Sequence, residues 1–191
     1  MIHRLVVTGY KAFELGIFND DHPGVPIIKK ALRDMFVDLM MNEQLEWVIV
    51  SGQLGVELWA TEVVRELKEQ YPTLKYAVLP PFEGQSEKWN EANQQKYMLM
   101  IQEADFSTSL TKRPYEGPWQ FRAKDEFLFK NSDGILFVYD EDNEGSPKFM
   151  KRAAEKYAKK APYEVLTITA LDLQWIAEEI ERERWEGEGF Y

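Results

Sequence analysis

Two glycine turns carry the strongest chemical signal in the chain. Ser51-Gly52-Gln53-Leu54-Gly55-Val56-Glu57 follows an apolar, β-branched run and leads directly into a helix-period stripe. Gly52 permits a tight strand-to-helix turn, and Gly55 lets a ligand or the sheet approach the helix backbone closely. The unpaired N–H groups and positive dipole end of such a helix suit an anion such as phosphate. Only the G-x-x-G half of a dinucleotide fingerprint is present, and no Walker Lys-Ser/Thr follows. Close helix–sheet packing alone would call for the same glycines. Glu57 has two roles open to it, complementing the helix dipole or accepting hydrogen bonds from ribose hydroxyls; directly beside a phosphate it would repel.

The second turn is Glu144-Gly145-Ser146-Pro147, after Tyr139-Asp140. Ser146 is expected to cap a helix that follows, with Pro147 at the first helical position, where a missing N–H costs nothing. The same end offers backbone donors and a hydroxyl to a ligand. The acidic run Asp140–Glu144 lacks histidine and regular ligand spacing, so it is expected to be a solvated loop and no metal ligands are assigned. Near the N-terminus, Thr8-Gly9-Tyr10-Lys11 precedes a connection from Ala12 to Gly24 that holds Phe13, Glu14, Asn19 and Asp20. That is longer than a turn needs, and long connections often carry function. Finally, Leu110–Arg122 gathers Lys112, Arg113, Tyr115, Trp119, Phe121 and Arg122, the densest basic-aromatic stretch in the chain. Such a stretch can stack a base and pair a phosphate, or tuck its rings into a core.

The elements that must position these residues alternate in type. Arg4–Val7, Glu46–Val50, Lys75–Leu79, Gly134–Tyr139 and Glu164–Ile168 read as strands. Most are nearly continuous apolar runs, as in a parallel sheet covered on both faces. Ile28 to Met40 and Val56 to Leu67 carry apolar residues at helical period, and further helices are expected over Glu87–Glu103, Trp119–Lys130, Pro147–Lys160 and Leu171–Arg184. Asp105–Leu110 could be a strand or an extended connection. The order predicts an α/β fold, a Rossmann-like, doubly wound, mostly parallel sheet flanked by helices on both faces. One domain is expected over 1–185, with a flexible tail at 186–191. In such sheets ligands sit beyond the carboxyl ends of the strands, where both glycine turns fall.

Composition narrows the chemistry further. The 191 residues include 23 Lys and Arg against 33 Asp and Glu, a net charge of -10. A broad acidic surface repels a phosphate backbone, so general nucleic-acid binding is not expected. There is no cysteine, which removes disulfides, thiolate metal sites and cysteine nucleophiles. No apolar run approaches the ~20 residues of a membrane span, and the N-terminal apolar stretch is too short for a signal peptide. A cytoplasmic location without membrane insertion is expected. With two histidines, no H-E-x-x-H and no G-x-S-x-G, no catalytic residue is assigned.

Together these segments resemble the YpsA family of Firmicutes. The resemblance is carried by Thr8–Lys11 with Phe13–Phe18, by Ser51–Trp59, by Leu110–Tyr115, by Ser132–Gly134, and by Tyr139-Asp140 with Gly145–Lys148. It covers nearly the whole chain in the same order. The family is similar to a branch of the superfamily that joins the Lonely Guy enzymes to DprA, which implies a Rossmann-like sheet and a nucleotide or nucleotide-derived ligand. It implies that Gly52, Gly55 and Glu57 belong to a ligand-binding loop, and that the protein serves cell division or envelope stress. The Lonely Guy phosphoribohydrolase signature, Pro-Gly-Gly-x-Gly-Thr with a following Glu, is absent, and Glu144-Gly145-Ser146-Pro147 stands in its place.

Three functions are therefore expected in order. The first is a binding or sensor protein for a small anionic ligand such as NAD, ADP-ribose or another nucleotide. The ligand would lie between Ser51–Glu57 and Gly145-Ser146 with its floor at Thr8, Gly9 and Lys11, next to Asp140, and with Arg113, Tyr115 or Arg122 closing over it. The second is an N-glycosidic or phosphoribosyl hydrolase using Glu57 or Asp140. The third is an interaction module for cell-division proteins, with a vestigial pocket and anchors at Trp119–Phe121, Trp185, Phe190 and Tyr191.

Overall fold

A computed structural model describes residues 1–188. Six parallel strands form one sheet: β1 (Arg4–Gly9), β2 (Trp47–Val50), β3 (Lys75–Val78), β4 (Phe106–Ser107), β5 (Gly134–Val138) and β6 (Glu164–Ile168). Their spatial order is β4-β3-β2-β1-β5-β6. The chain winds outward from β1 to β4, returns to β5 beside β1, and ends at β6, so the strand order reverses at the β1/β5 boundary. This is the doubly wound α/β fold the apolar strand runs predict. All five residues of β5 are buried, as a strand with neighbours on both sides and helices on both faces requires.

The helices are α1 (Gly24–Asn42), α2 (Val56–Leu67), α3 (Glu91–Gln102), α4 (Trp119–Lys130), α5 (Lys148–Ala158) and α6 (Ala170–Glu188). Leu32 and Phe36 of α1, Trp59 and Val63 of α2, Met100 of α3 and Ile176 of α6 join the core on one face. Leu128 and Phe129 of α4 with Met150 and Ala154 of α5 cover the other. Among the described residues no helix is long and apolar enough to cross a membrane.

Several boundaries differ from the sequence expectation. The segment at Asp105–Leu110 contributes a two-residue edge strand, Phe106 and Ser107, paired with Ala77 and Val78. The helix expected from Glu87 begins at Glu91, because Asn90 is the cap: its side chain accepts from Asn93 N at 2.9 Å. Ser146 does not cap α5. Pro147 holds that position without a side-chain cap, and the Ser146 hydroxyl is turned to another partner. Residues 186–188, expected in a loose tail, continue α6; 189–191, with Phe190 and Tyr191, lie outside the described residues.

Candidate functional site

The β2–α2 turn is organised around a buried carboxylate. Glu57, in the first turn of α2, is 4% exposed. Its Oε2 accepts from Ser51 N at 3.0 Å and Gln53 N at 2.9 Å, and its Oε1 accepts from Thr8 Oγ1 at 2.9 Å. Ser51 Oγ donates at 3.0–3.1 Å as well. Burying a carboxylate is costly unless hydrogen bonds compensate it, and here four protein donors with the positive end of α2 do so. Of the two roles considered for Glu57, complementing the α2 dipole stands, and its hydrogen bonds add another: it fastens the end of β1 to the turn after β2. Its oxygens are taken up by the chain itself. Behind the turn, the buried Gln85 donates to Ser51 O at 3.0 Å and accepts from Gln53 Nε2 at 3.4 Å.

Gly55 also serves the chain's own backbone. Its φ is +101°, and a Cβ there would stand 2.5 Å from Ala12 N and 2.6 Å from Tyr10 O. Val56 N donates to that same Tyr10 carbonyl at 3.2 Å. The glycine lets the connection after β1 cross directly over the start of α2. At Gly9 a Cβ would meet the Val56 side chain at 2.8 Å, so this glycine seats α2 against β1.

The crevice at the β1/β5 strand reversal, where doubly wound sheets hold ligands, is filled from within. Tyr10 is 3% exposed and stacks on Tyr139 with ring centroids 6.0 Å apart. Its hydroxyl accepts from Asp140 N at 2.9 Å and donates to the Asn143 carbonyl. A Cβ on Gly145 would reach 2.7 Å from the Tyr10 ring. The Glu14 carboxylate, from a 3-10 turn at Ala12–Leu15, accepts from Ser146 N at 2.8 Å, Ser146 Oγ at 2.7 Å and Lys11 N at 2.8 Å. The anion at the start of α5 is therefore a side chain of this protein. Burial pushes the Glu14 carboxyl upward, but the bonds from Lys11 and Ser146 outweigh it and hold it below the ordinary glutamate value. The Asp140 carboxylate stays in its own loop, accepting from Asp142 N at 3.0 Å.

The open cavity lies on the other side of the β1 connection. It has a volume of about 390 Å³, within the range of small-molecule sites. Residues 11–20 form one wall, Gln53–Gly55 and the first turns of α2 the second, and Trp89 with the start of α3 the third. Phe13, Phe18, Trp59 and Trp89 supply aromatic surface; Asn19, Gln53, Asn90 and Asn93 supply carboxamides. Lys96 Nζ pairs with Asp20 Oδ1 at 2.6 Å across the mouth, whereas Lys11 has no carboxylate partner among the described residues. Gly55 and Leu58 also line the cavity, and their backbone N–H groups find no acceptor among the described residues.

Of the expected site residues, Lys11, Gln53 and Gly55 line this cavity, and Thr8, Ser51 and Glu57 brace its β2–α2 wall from beneath. Gly52 packs against Gln85 and Tyr97. Gly145, Ser146 and Asp140 belong to the filled crevice, separated from the cavity by Tyr10 and Glu14. Arg113 and Tyr115 do not close over it: Tyr115 packs on Phe82 and Phe121, and Arg113 pairs with Glu116 at 3.6 Å. A single ligand spanning both glycine turns does not fit this arrangement. Trp89, Asn90, Asn93 and Lys96 are not among the expected site residues although they form the third wall; the Asn90 cap signature is the local signal that marks it. Among the described residues no group of three or more acidic or histidine side chains converges to hold a metal.

Comparison with known proteins identifies the family. A family model for YpsA, described as the YspA SLOG family, matches residues 5–173. A UPF0398 protein of Lysinibacillus sphaericus is 56% identical over 180 residues, covering 94% of this chain and 100% of the relative. UPF0398 proteins of Brevibacillus brevis and Halalkalibacterium halodurans are 55% identical over 183 residues and 50% identical over 177. The alignments cover 96% and 97% of the two chains in the first case and 93% of each in the second. The chain belongs to the YpsA family of SLOG proteins.

Proposed function

We propose that the protein binds a small anionic nucleotide-derived ligand in the cavity between the β1 connection, the β2–α2 turn and the start of α3, and that it acts as a sensor of that ligand. The observation that carries this reading is the wall composition: aromatic faces for a base, carboxamides for its edge and the sugar, and Lys11 with the start of α2 for a phosphate. NAD, ADP-ribose and nucleoside monophosphates are the candidates. SLOG membership supports a nucleotide-related role, and an output in cell division or envelope stress is the part of this proposal that rests on the family resemblance alone. Turnover is not favoured, because Glu57 has its oxygens committed to the chain and Asp140 lies outside the cavity.

Thermal melting against a nucleotide panel tests this. A ligand at a hundredfold excess over its Kd adds ~2.7 kcal/mol, which raises the Tm by several degrees in a protein of this size. Lys11→Ala and Trp89→Ala should each remove most of that rise, while Arg113→Ala should leave it unchanged. A panel without any shift, or a shift indifferent to Lys11 and Trp89, would refute the cavity as the site.

A further inference from the structure

The basic-aromatic stretch that stands apart from the cavity has an order that the ligand site does not explain. Gln120 is 0% exposed, and all its polar atoms are spent on fixing one loop. Its Oε1 accepts from Glu116 N at 2.7 Å and Gly117 N at 3.2 Å. Its Nε2 donates to Thr111 Oγ1 at 2.9 Å and Pro114 O at 3.0 Å. Leu110 N and Thr111 Oγ1 are tied at 2.8 Å each to the carbonyls of Pro80 and Pro81, and Glu83 N to that of Arg113. A loop held by a buried glutamine has already lost the conformational freedom that binding would otherwise cost.

What this loop presents is apolar, with the exposed cations Lys112, Arg113 and Arg122 against the one carboxylate of Glu116. Tyr115, Trp119 and Phe121 are 54%, 42% and 40% exposed. Tyr115 and Phe121 lean on the Phe82 ring at centroid distances of 5.0 and 5.7 Å. Arg113 holds Glu116 only at 3.6 Å, and Arg122 is exposed without a carboxylate partner among the described residues. Aromatic residues with arginine are the side chains that dominate binding energy at interfaces. In a chain of net charge -10, a locally cationic patch complements a short acidic segment.

We propose that Arg113, Tyr115, Trp119, Phe121 and Arg122 form a docking surface for an acidic peptide segment of a partner protein. The peptide seats an apolar or aromatic anchor on the rings and pairs its carboxylates with the two arginines. A single-stranded nucleic acid is disfavoured by the rings' own geometry. They meet at interplanar angles of 55°, 84° and 51°, two pairs tilted and one edge against face, and so do not offer parallel platforms for successive bases.

Fluorescence anisotropy with the full chain decides it. The probe is a fluorescein-labelled peptide of sequence Glu-Asp-Pro-Trp-Pro-Glu-Asp, compared with hepta-glutamate, with the same peptide carrying Lys for each acid, and with an oligothymidylate. Saturable binding of the first probe alone is expected. It should weaken about tenfold or more in Tyr115→Ser and in the double variant Arg113→Glu with Arg122→Glu, and stay unchanged in Lys160→Glu, a charge reversal beyond α5. Unchanged melting of the two patch variants shows that the loss is local. Absence of binding, equal binding of hepta-glutamate, or tighter binding of the oligothymidylate would each overturn the proposal, the last in favour of a single-strand reader.

Discussion

Two glutamates in this protein perform nearly the same chemistry in different surroundings. Glu57 and Glu14 each accept from both the backbone N–H and the hydroxyl of one serine, Ser51 and Ser146, and from one further backbone N–H. Each thereby ties a glycine-bearing loop to β1 or to the connection that follows it. Glu57 is buried and has no cationic partner among the described residues; Glu14 is on the rim, where water can replace a lost bond. A donor left without a partner costs its full desolvation only when water cannot reach it. The buried glutamate is therefore part of the fold, and the rim glutamate is a releasable fastener between the connection and the α5 loop.

Substitution at the buried position should have the largest effect. Glu57→Ala strands Ser51 N, Gln53 N and the two hydroxyls, at about 1–3 kcal/mol for each group that water cannot reach. A loss of about 3 kcal/mol or more in urea denaturation is expected, with a smaller loss for Glu57→Gln, whose amide nitrogen must face donors. A stability change below ~1 kcal/mol for Glu57→Ala would break the distinction and return Glu57 to the ligand. Gly55→Ala ranks next. It forces a β-carbon into φ +101° and against the Ala12 and Tyr10 backbone, a strain of about 1–3 kcal/mol relieved only by shifting the cavity wall. Lower Tm together with loss of the ligand-induced shift is expected; retention of both would mean that the connection can lift away from α2 freely.

The difference between the two glutamates could not be read from the chain alone. Strand and helix runs were legible because their signal is local: β5 is apolar at every position, and α1 repeats its apolar residues at 3.6. The SGQLG turn was legible as a turn for the same reason. Its purpose was not, because the atoms that explain it come from elsewhere. Thr8 meets Glu57 from 49 residues away and Ser146 meets Glu14 from 132, and periodicity is silent over such separations. Gly55 illustrates the ambiguity: the space it leaves open is taken by the Tyr10–Ala12 backbone, and composition cannot tell a crossing chain from a phosphate. Residue type alone groups Arg113 and Tyr115 with the site. The Gln120 and Phe82 contacts hold them in a different part of the surface.

The rim glutamate should respond least to substitution, and its contribution should depend on pH. Its hydrogen bonds hold the Glu14 carboxyl below its ordinary value of 4.5, so the folded state binds the proton more weakly than the unfolded chain does. The resulting stability is present above the unfolded pKa and is lost as pH falls through the folded one. Glu14→Gln should thus cost up to about 1 kcal/mol at pH 7, and its deficit against the unsubstituted protein should shrink steadily once the pH drops below about 4. Parallel denaturation curves of Glu14→Gln and the unsubstituted protein from pH 7 to 3 check this. A Glu14→Gln deficit that does not change with pH would show that the contact with Ser146 does not depend on charge, and the fastener would then hold at any pH the fold survives.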